Sequence, residues 1–345
     1  MKRIITCSDG TWNLPGDSYQ GKPVRTNIQK IFEGICNEDS SGIHQLKYYD
    51  EGVGVEGTEL KRMFNGMIGG GIDRNILDIY KFICWNYSQG DELYLFGFSR
   101  GAYTARSLAG LIRTAGLVKS NNLTLINQAY KIYRDRANAG MHPEGDIASE
   151  FRKEHSQPDF RIKFIGIWDT VGSLGIPLKF VGNKKKYEFH DTTLSSYVDY
   201  AYQALALDEK RKNFEPAIWK QSANAGLDGH YQILEQRWFP GVHSNIGGGY
   251  PDEGLSDISL DWMINNARGA GLSFEEQYLA DNVKPTVTGE LYNSFNFPFS
   301  LVGKFQRQIM TDIDSHENIH QSVYERMEKI KDYVPANIPR REPVS

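Results

Sequence analysis

An α/β fold, with a mostly parallel sheet and helices on both faces, is what this sequence predicts, on three observations. Short apolar runs of strand character alternate with stretches whose apolar residues recur at helical spacing. Several of those runs end on a polar residue able to do chemistry, and in parallel sheets sites form beyond the carboxyl ends of the strands. The chain has 345 residues, 40% hydrophobic and 24% charged, which suits one large domain of ordinary globular composition.

Taken in order, Arg3 to Thr6 opens as a strand and stops at the turn-forming Cys7-Ser8-Asp9-Gly10-Thr11. Asn27 to Cys36 carries Ile28, Ile31, Phe32 and Ile35 at helical spacing. Lys47-Tyr48-Tyr49 reads as the next strand, ending at Asp50. Ile72, Ile76, Ile79, Tyr80, Ile83 and Tyr87 mark one face of a long amphipathic helix. Leu93 to Phe96 reads as a buried strand, and Ala102 to Ala115 as a helix closed by the C′ glycine Gly116. Ile162 to Trp168 and Gln236 to Val242 are two further strands, ending at Asp169 and His243. Two stretches fit the sheet poorly, the polar, helix-like 117–160 and the aromatic-rich 178–235, and are expected to be cap or lid insertions over the site. The five prolines of 274–345 predict an irregular wrap, so that 1–345 forms a single domain.

Between the fifth and sixth of these elements the chain reads Gly97-Phe98-Ser99-Arg100-Gly101, a G-x-S-x-G pattern. Strand, tight glycine turn and helix is the setting of a nucleophile elbow. Glycine, lacking Cβ, lets the turn be sharp and the helix pack close. The serine then stands at a helix N-terminus, where N–H groups and the dipole favour a developing oxyanion. Such a serine needs a base, and the base needs an acid to set its tautomer. Of eight histidines only His243 directly follows a strong strand and opens a glycine-rich turn. Asp169, closing its own strand, is the expected acid, with Asp252 and Asp257 as competing carboxylates. Ser99, Asp169, His243 is the chain order of α/β-hydrolases. The expected oxyanion donors are the N–H of Arg100 and a backbone N–H of the early loop, at Gly10 or Thr11, with Asp9 bracing that loop.

Other chemistries fit less well. Ser8-Asp9-Gly10-Thr11 matches part of the D-x-D-G-T of haloacid-dehalogenase-type phosphatases, but the nucleophilic aspartate is here Cys7, so no aspartyl-phosphate would form. The glycines from Gly66 to Gly71 make neither a P-loop nor G-x-G-x-x-G. Cys7, Cys36 and Cys84 are scattered and fit neither a disulfide framework nor a zinc site. There is no D-x-D-x-D-G loop, and neither a metal nor an organic cofactor is expected. A net charge of −4 and a single short basic run, Lys184-Lys185-Lys186, argue against nucleic acid as a partner. The N-terminal apolar stretch is too short for a signal peptide and no run reaches transmembrane length. The expectation is a protein cytoplasmic as synthesised, with peripheral membrane contact and secretion by a signal-independent route left open.

Asp9-Gly10-Thr11-Trp12-Asn13, Tyr49-Asp50-Glu51-Gly52-Val53-Gly54, the Ser99 pattern, Trp168-Asp169-Thr170-Val171, Ala204 to Glu209 and Pro240 to Tyr250 form a combination. Together they resemble the α/β-hydrolase-like catalytic domain of type VI secretion phospholipase effectors, a family formerly catalogued as a domain of unknown function. The resemblance runs over nearly the whole chain. It implies Ser99 as nucleophile, Asp169 as acid, His243 as base and phospholipid acyl esters as substrate. Characterised antibacterial members look larger and carry membrane-associating modules. The sequence identifies no immunity or secretion partner. The expected function is a serine ester hydrolase acting on lipid-like acyl esters, with the aromatic stretch Pro177 to Trp238 either lining a tail pocket or packing core. A small-molecule esterase or thioesterase with the same triad, and a catalytically silent fold used for binding, are the alternatives.

Overall fold

A computed structural model describes residues 1–10, 16–52, 70–135, 137–171, 192–223, 225–226, 229–295, 303–310 and 312–338. Thr11, the basic run at 184–186 and the front part of the expected lid, 178–191, lie outside the described residues. In chain order the strands are β1 (Arg3–Ser8), β2 (Ser18–Tyr19), β3 (Lys22–Pro23), β4 (Gln45–Asp50), β5 (Glu92–Phe98), β6 (Ile162–Trp168), β7 (Val198–Ala206), β8 (Ile233–Phe239) and β9 (Glu317–Ile319). Seven of them form one sheet in the order β4-β1-β5-β6-β7-β8-β9, every neighbouring pair parallel. β2 and β3 make a separate antiparallel pair.

Helices cover both faces, as an all-parallel sheet requires. Side chains on a strand point alternately to its two faces, and β5 displays this plainly. Leu93 and Leu95 join the core beneath α2 (Gly70–Asn86) and α3 (Arg100–Ala115). Tyr94, Phe96 and Phe98 join the opposite core, beneath α1 (Asn27–Gly34) and α7 (Gly254–Gly269). On that second face the rings of Phe96, Phe164 and Tyr202 form a row across β5, β6 and β7. The chain leaves β1 toward the β4 edge and leaves β5 toward β6. The crevice between β1 and β5 is therefore a topological switch point, where α/β sheets hold their ligands.

Three expectations are corrected. The stretch 117–160 forms α4 (Ile126–Arg134) and α5 (Asp146–His155). These pack along α3, Arg134 bonding Tyr103 near its start and Arg152 and Ser156 donating to the Thr114 and Ala115 carbonyls at its end. Their Ile126, Ala129, Ile132, Tyr133 and Phe151 join the core, so the stretch builds core where a cap was expected. The stretch 178–235 supplies β7, an interior strand of the sheet, and the start of β8. Val198–Ala206 is buried on both faces, so its sequence lacks the polar–apolar alternation of a half-exposed strand. Tyr202, Leu205, Leu207 and Trp219 accordingly sit in core clusters and do not line a lid. The C-terminal wrap is more regular than its prolines suggested. It contributes α8 (Glu276–Asn282), the edge strand β9 and α9 (Gln321–Lys329), with Val323 and Tyr333 closing a third core over β7 and β8.

Candidate active site

The carboxyl edge of the sheet collects the candidates. Ser99 links β5 to α3 with φ 56° and ψ −114°, a conformation that costs a non-glycine residue about 1–3 kcal/mol. Its neighbours explain why the pattern needs glycine. A Cβ on Gly97 would stand 2.4 Å from the Gly101 carbonyl oxygen, and one on Gly101 would stand 1.9 Å from that of Ser8. The start of α3 thus lies directly against the end of β1. The Ser99 N–H donates to the Trp168 carbonyl at 3.0 Å, which ties the elbow to β6.

His243 opens α6 (His243–Gly247), four residues after β8. Its Nδ1 lies 2.6 Å from Asp169 Oδ2 and its Nε2 lies 2.8 Å from Ser99 Oγ. The tautomer that satisfies both contacts carries its proton on Nδ1, leaving Nε2 to accept from the serine. The imidazole lies against the rings of Phe98 and Phe214, at 4.7 and 4.9 Å between centroids. Burial depresses its pKa more than the nearby Asp169 carboxylate raises it, which favours the neutral base. The glycine turn after His243 has a packing reason. A Cβ on Gly247 would strike the Phe98 ring at 2.1 Å, and Gly248, at φ +87°, lies against the Thr26 backbone.

Asp169 is fully buried, and burial pushes its carboxyl upward, but Arg307 and His243 outweigh that and hold it well below the usual carboxylate range. Arg307 grips it with two hydrogen bonds, Nη1 to Oδ1 at 2.6 Å and Nη2 to Oδ2 at 3.0 Å, and the Ala206 N–H adds a third at 3.0 Å. The competing acids are engaged elsewhere. Asp257 pairs with Lys30 at 2.6 Å and accepts the Lys284 N–H, while Asp252 accepts the Gly254 N–H at 3.0 Å.

Asp9 braces its loop with three acceptor contacts: Gly10 N–H at 2.6 Å, Thr26 Oγ1 at 2.5 Å and Tyr49 Oη at 2.7 Å. Burial nevertheless pushes its pKa up to about 7 against those donors. Because the Gly10 N–H is turned onto Asp9, it is not aimed at an oxyanion beside Ser99. Of the expected donors, Arg100 begins α3, so its N–H belongs to the first turn, which has no intrahelical acceptor.

Residues that sequence reasoning did not assign complete the site. Asp208 and Glu209 follow β7 and hold the segment bearing His243. Asp208 Oδ2 accepts the Gly241 N–H at 2.7 Å, and Glu209 Oε2 accepts the His243 N–H at 3.2 Å. Burial works to raise the Glu209 pKa, but the bidentate Arg211 prevails and lowers it to about 2. Their position after a strand was the available signal, hidden because β7 itself was missed. Arg307 had none. Among the described residues no group of three or more His, Cys, Asp and Glu side chains is placed to hold a metal ion, and no helix is long and apolar enough to cross a membrane.

The family described as type VI secretion system phospholipase effector Tle1-like, catalytic domain, matches residues 2–266. The uncharacterized protein YEL023C of Saccharomyces cerevisiae is 31% identical over an alignment of 232 residues that covers 62% of this chain and 32% of that protein. A crystal structure of an uncharacterized protein from Pseudomonas aeruginosa has a TM-score of 0.46 at 16% identity, covering 83% of this chain and 49% of that one. The Tle1 effector bound to the VgrG spike of the type 6 secretion system has a TM-score of 0.36 at 19% identity, covering 73% and 52%. The chain spans about a third of the yeast protein and about half of each solved chain.

Proposed function

We propose that this chain, which belongs to the Tle1-like phospholipase effector catalytic-domain family of type VI secretion, is a serine ester hydrolase that cleaves the acyl esters of phospholipids. The observation that carries the reading is the hydrogen-bonded relay from Ser99 Oγ through His243 to Asp169, at 2.8 and 2.6 Å, beginning on a strained serine. Ser99 Oγ bonds to the ester carbonyl carbon while its proton passes to His243 Nε2. The carbonyl oxygen becomes an oxyanion facing the first turn of α3, where the Arg100 N–H is the proposed donor. Collapse breaks the bond to the alcohol, which departs with the proton from Nε2. Water then adds to the acyl carbon, gives its proton to Nε2, and the carboxylic acid leaves as Ser99 recovers its hydrogen. These steps call on no metal or organic cofactor, and the partner they require is a lipid.

Labelling with a fluorophosphonate probe tests the reading. Wild type should be labelled at Ser99, and Ser99→Ala and His243→Ala should not; equal labelling of Ser99→Ala would sink the serine-hydrolase reading. A digest of mixed phospholipids, read by mass spectrometry, identifies the bond cleaved. Each buried CH₂ is worth about 0.8 kcal/mol, so kcat/KM should climb with acyl length in a soluble ester series. A preference confined to acetyl esters would favour a small-molecule esterase instead.

A further inference from the structure

We infer that Arg307 is a positioning residue of the proposed triad, its guanidinium fixing both the Asp169 carboxylate and the Phe214 wall against which His243 works. The inference rests on the serine-hydrolase reading. Arg307 comes from the segment 303–310, beyond the family-matched stretch 2–266, and reaches back to the end of β6.

The geometry is that of a fork closing on a plane. Nη1 and Nη2 each bond one Asp169 oxygen, and the same two nitrogens donate to the Ala206 and Phe214 carbonyls at 2.7 and 2.6 Å. A bidentate guanidinium sets the plane of a carboxylate where a single donor would leave it free to turn. Oδ2 is thereby aimed at His243 Nδ1, while Oδ1 is occupied by Nη1 and the Ala206 N–H. The Phe214 carbonyl belongs to the residue whose ring stands 4.9 Å from the imidazole, so one cation orients the acid and flanks the base. Arg307 is 2% exposed and Asp169 0%, so water does not stand in for either partner.

The pair also sets the charge that His243 feels. The charged groups acting on His243 are Asp169, Arg211 and Glu209, and those acting on Asp169 are Arg307 and His243 itself. With Arg307 in place the pull of Asp169 on the imidazole proton is partly cancelled. Removing that positive charge leaves Asp169 uncompensated and draws the proton onto His243, so the base is lost at higher pH than before.

The test uses the full chain and three proteins: wild type, Arg307→Lys and Arg307→Gln, each checked for folding by circular dichroism. The rate of fluorophosphonate inactivation is followed against pH, and kcat and KM are measured on a soluble ester. For Arg307→Gln, kcat and the inactivation plateau should fall about 10- to 100-fold, with KM within about twofold. Its acid limb should move up by about one pH unit. Arg307→Lys, which keeps the charge and loses the fork, should keep the wild-type acid limb at a lowered plateau. An unmoved acid limb in Arg307→Gln, or a wild-type plateau in Arg307→Lys, overturns the inference. Should Arg307→Gln fail to fold, the Arg307→Lys plateau alone decides. An unlabelled wild type brings down the hydrolase reading and this inference with it, whereas a labelled wild type with unaffected variants brings down this inference alone.

Discussion

Gly101→Ala adds one methyl group where α3 meets β1, and the structure sets both the sign and the size of its effect. Within a helix the exchange ordinarily stabilises by up to about 1 kcal/mol, because alanine has less backbone freedom to lose. Here the new Cβ would stand 1.9 Å from the Ser8 carbonyl oxygen, 2.4 Å from its carbon and 2.7 Å from the Asp9 carbonyl oxygen, against an ordinary contact of 3.4 Å or more. All three atoms are backbone, so no side chain can swing aside, and the start of α3 must move off β1 by about 1.5 Å, the shortfall at the closest atom. Overpacking of this kind costs about 1–3 kcal/mol, occasionally more, which exceeds the helix gain. Ser99 rides on the same turn, and a displacement of about 1 Å against its base costs on the order of 100-fold in rate. Urea unfolding should show a lowered midpoint and ester hydrolysis a loss of kcat. Gly90→Ala is the control: Gly90 has φ +89° and nothing within 4 Å of its Cβ position. It should lose about 1–2 kcal/mol from the left-handed backbone and keep its kcat. A Gly101→Ala protein with wild-type midpoint and wild-type kcat would refute the packing argument.

Three further outcomes follow from the site. Ser99→Gly and Ser99→Ala should both be inactive, but the glycine variant should melt higher, because strain of about 1–3 kcal/mol at φ 56° and ψ −114° falls only on the alanine and exceeds the up to about 1 kcal/mol that glycine's greater unfolded-state freedom costs; a glycine variant that melts lower than the alanine one would refute a strained elbow. Asp169→Asn should lower kcat by about 10⁴-fold through the wrong imidazole tautomer, whereas Asp252→Asn, whose carboxylate caps the Gly254 N–H, should stay close to wild type; the reverse ranking would move the acid to Asp252. Asp9, held up to about 7 by burial, binds its proton more tightly folded than unfolded, so its contribution to stability is present below about pH 4 and is lost as pH rises through about 7. The wild-type urea midpoint should therefore fall across that window more steeply than that of Asp9→Asn, and parallel slopes would refute the assignment.

Local chemistry explains how much of this could be read in advance. The elbow was legible because every part of it is contiguous: an apolar strand, two glycines around Ser99 and a helix closed by Gly116. That Asp169 and His243 would gather beside Ser99 was legible through a rule of parallel sheets, that sites form beyond the carboxyl ends of the strands. Ends were less well marked. The strand expected over Gln236 to Val242 runs Ile233–Phe239, because Pro240-Gly241 leave the ladder and are held instead by Asp208. β7 escaped because a strand buried on both faces has no period for the eye to find.

By itself, then, the sequence determined the fold class, the turn that strains Ser99 and the placing of Asp169 and His243 just after their strands, since each of these is written in neighbours along the chain. Only the tertiary structure decided that Asp257 is occupied by Lys30, that Gly10 turns its N–H onto Asp9, and that Arg307 closes on Asp169 from 138 positions away. The physical reason is the same in each case. Which buried charge meets which is settled by the packing of distant elements, and an arginine in an unpatterned segment carries no local mark of the carboxylate it will neutralise.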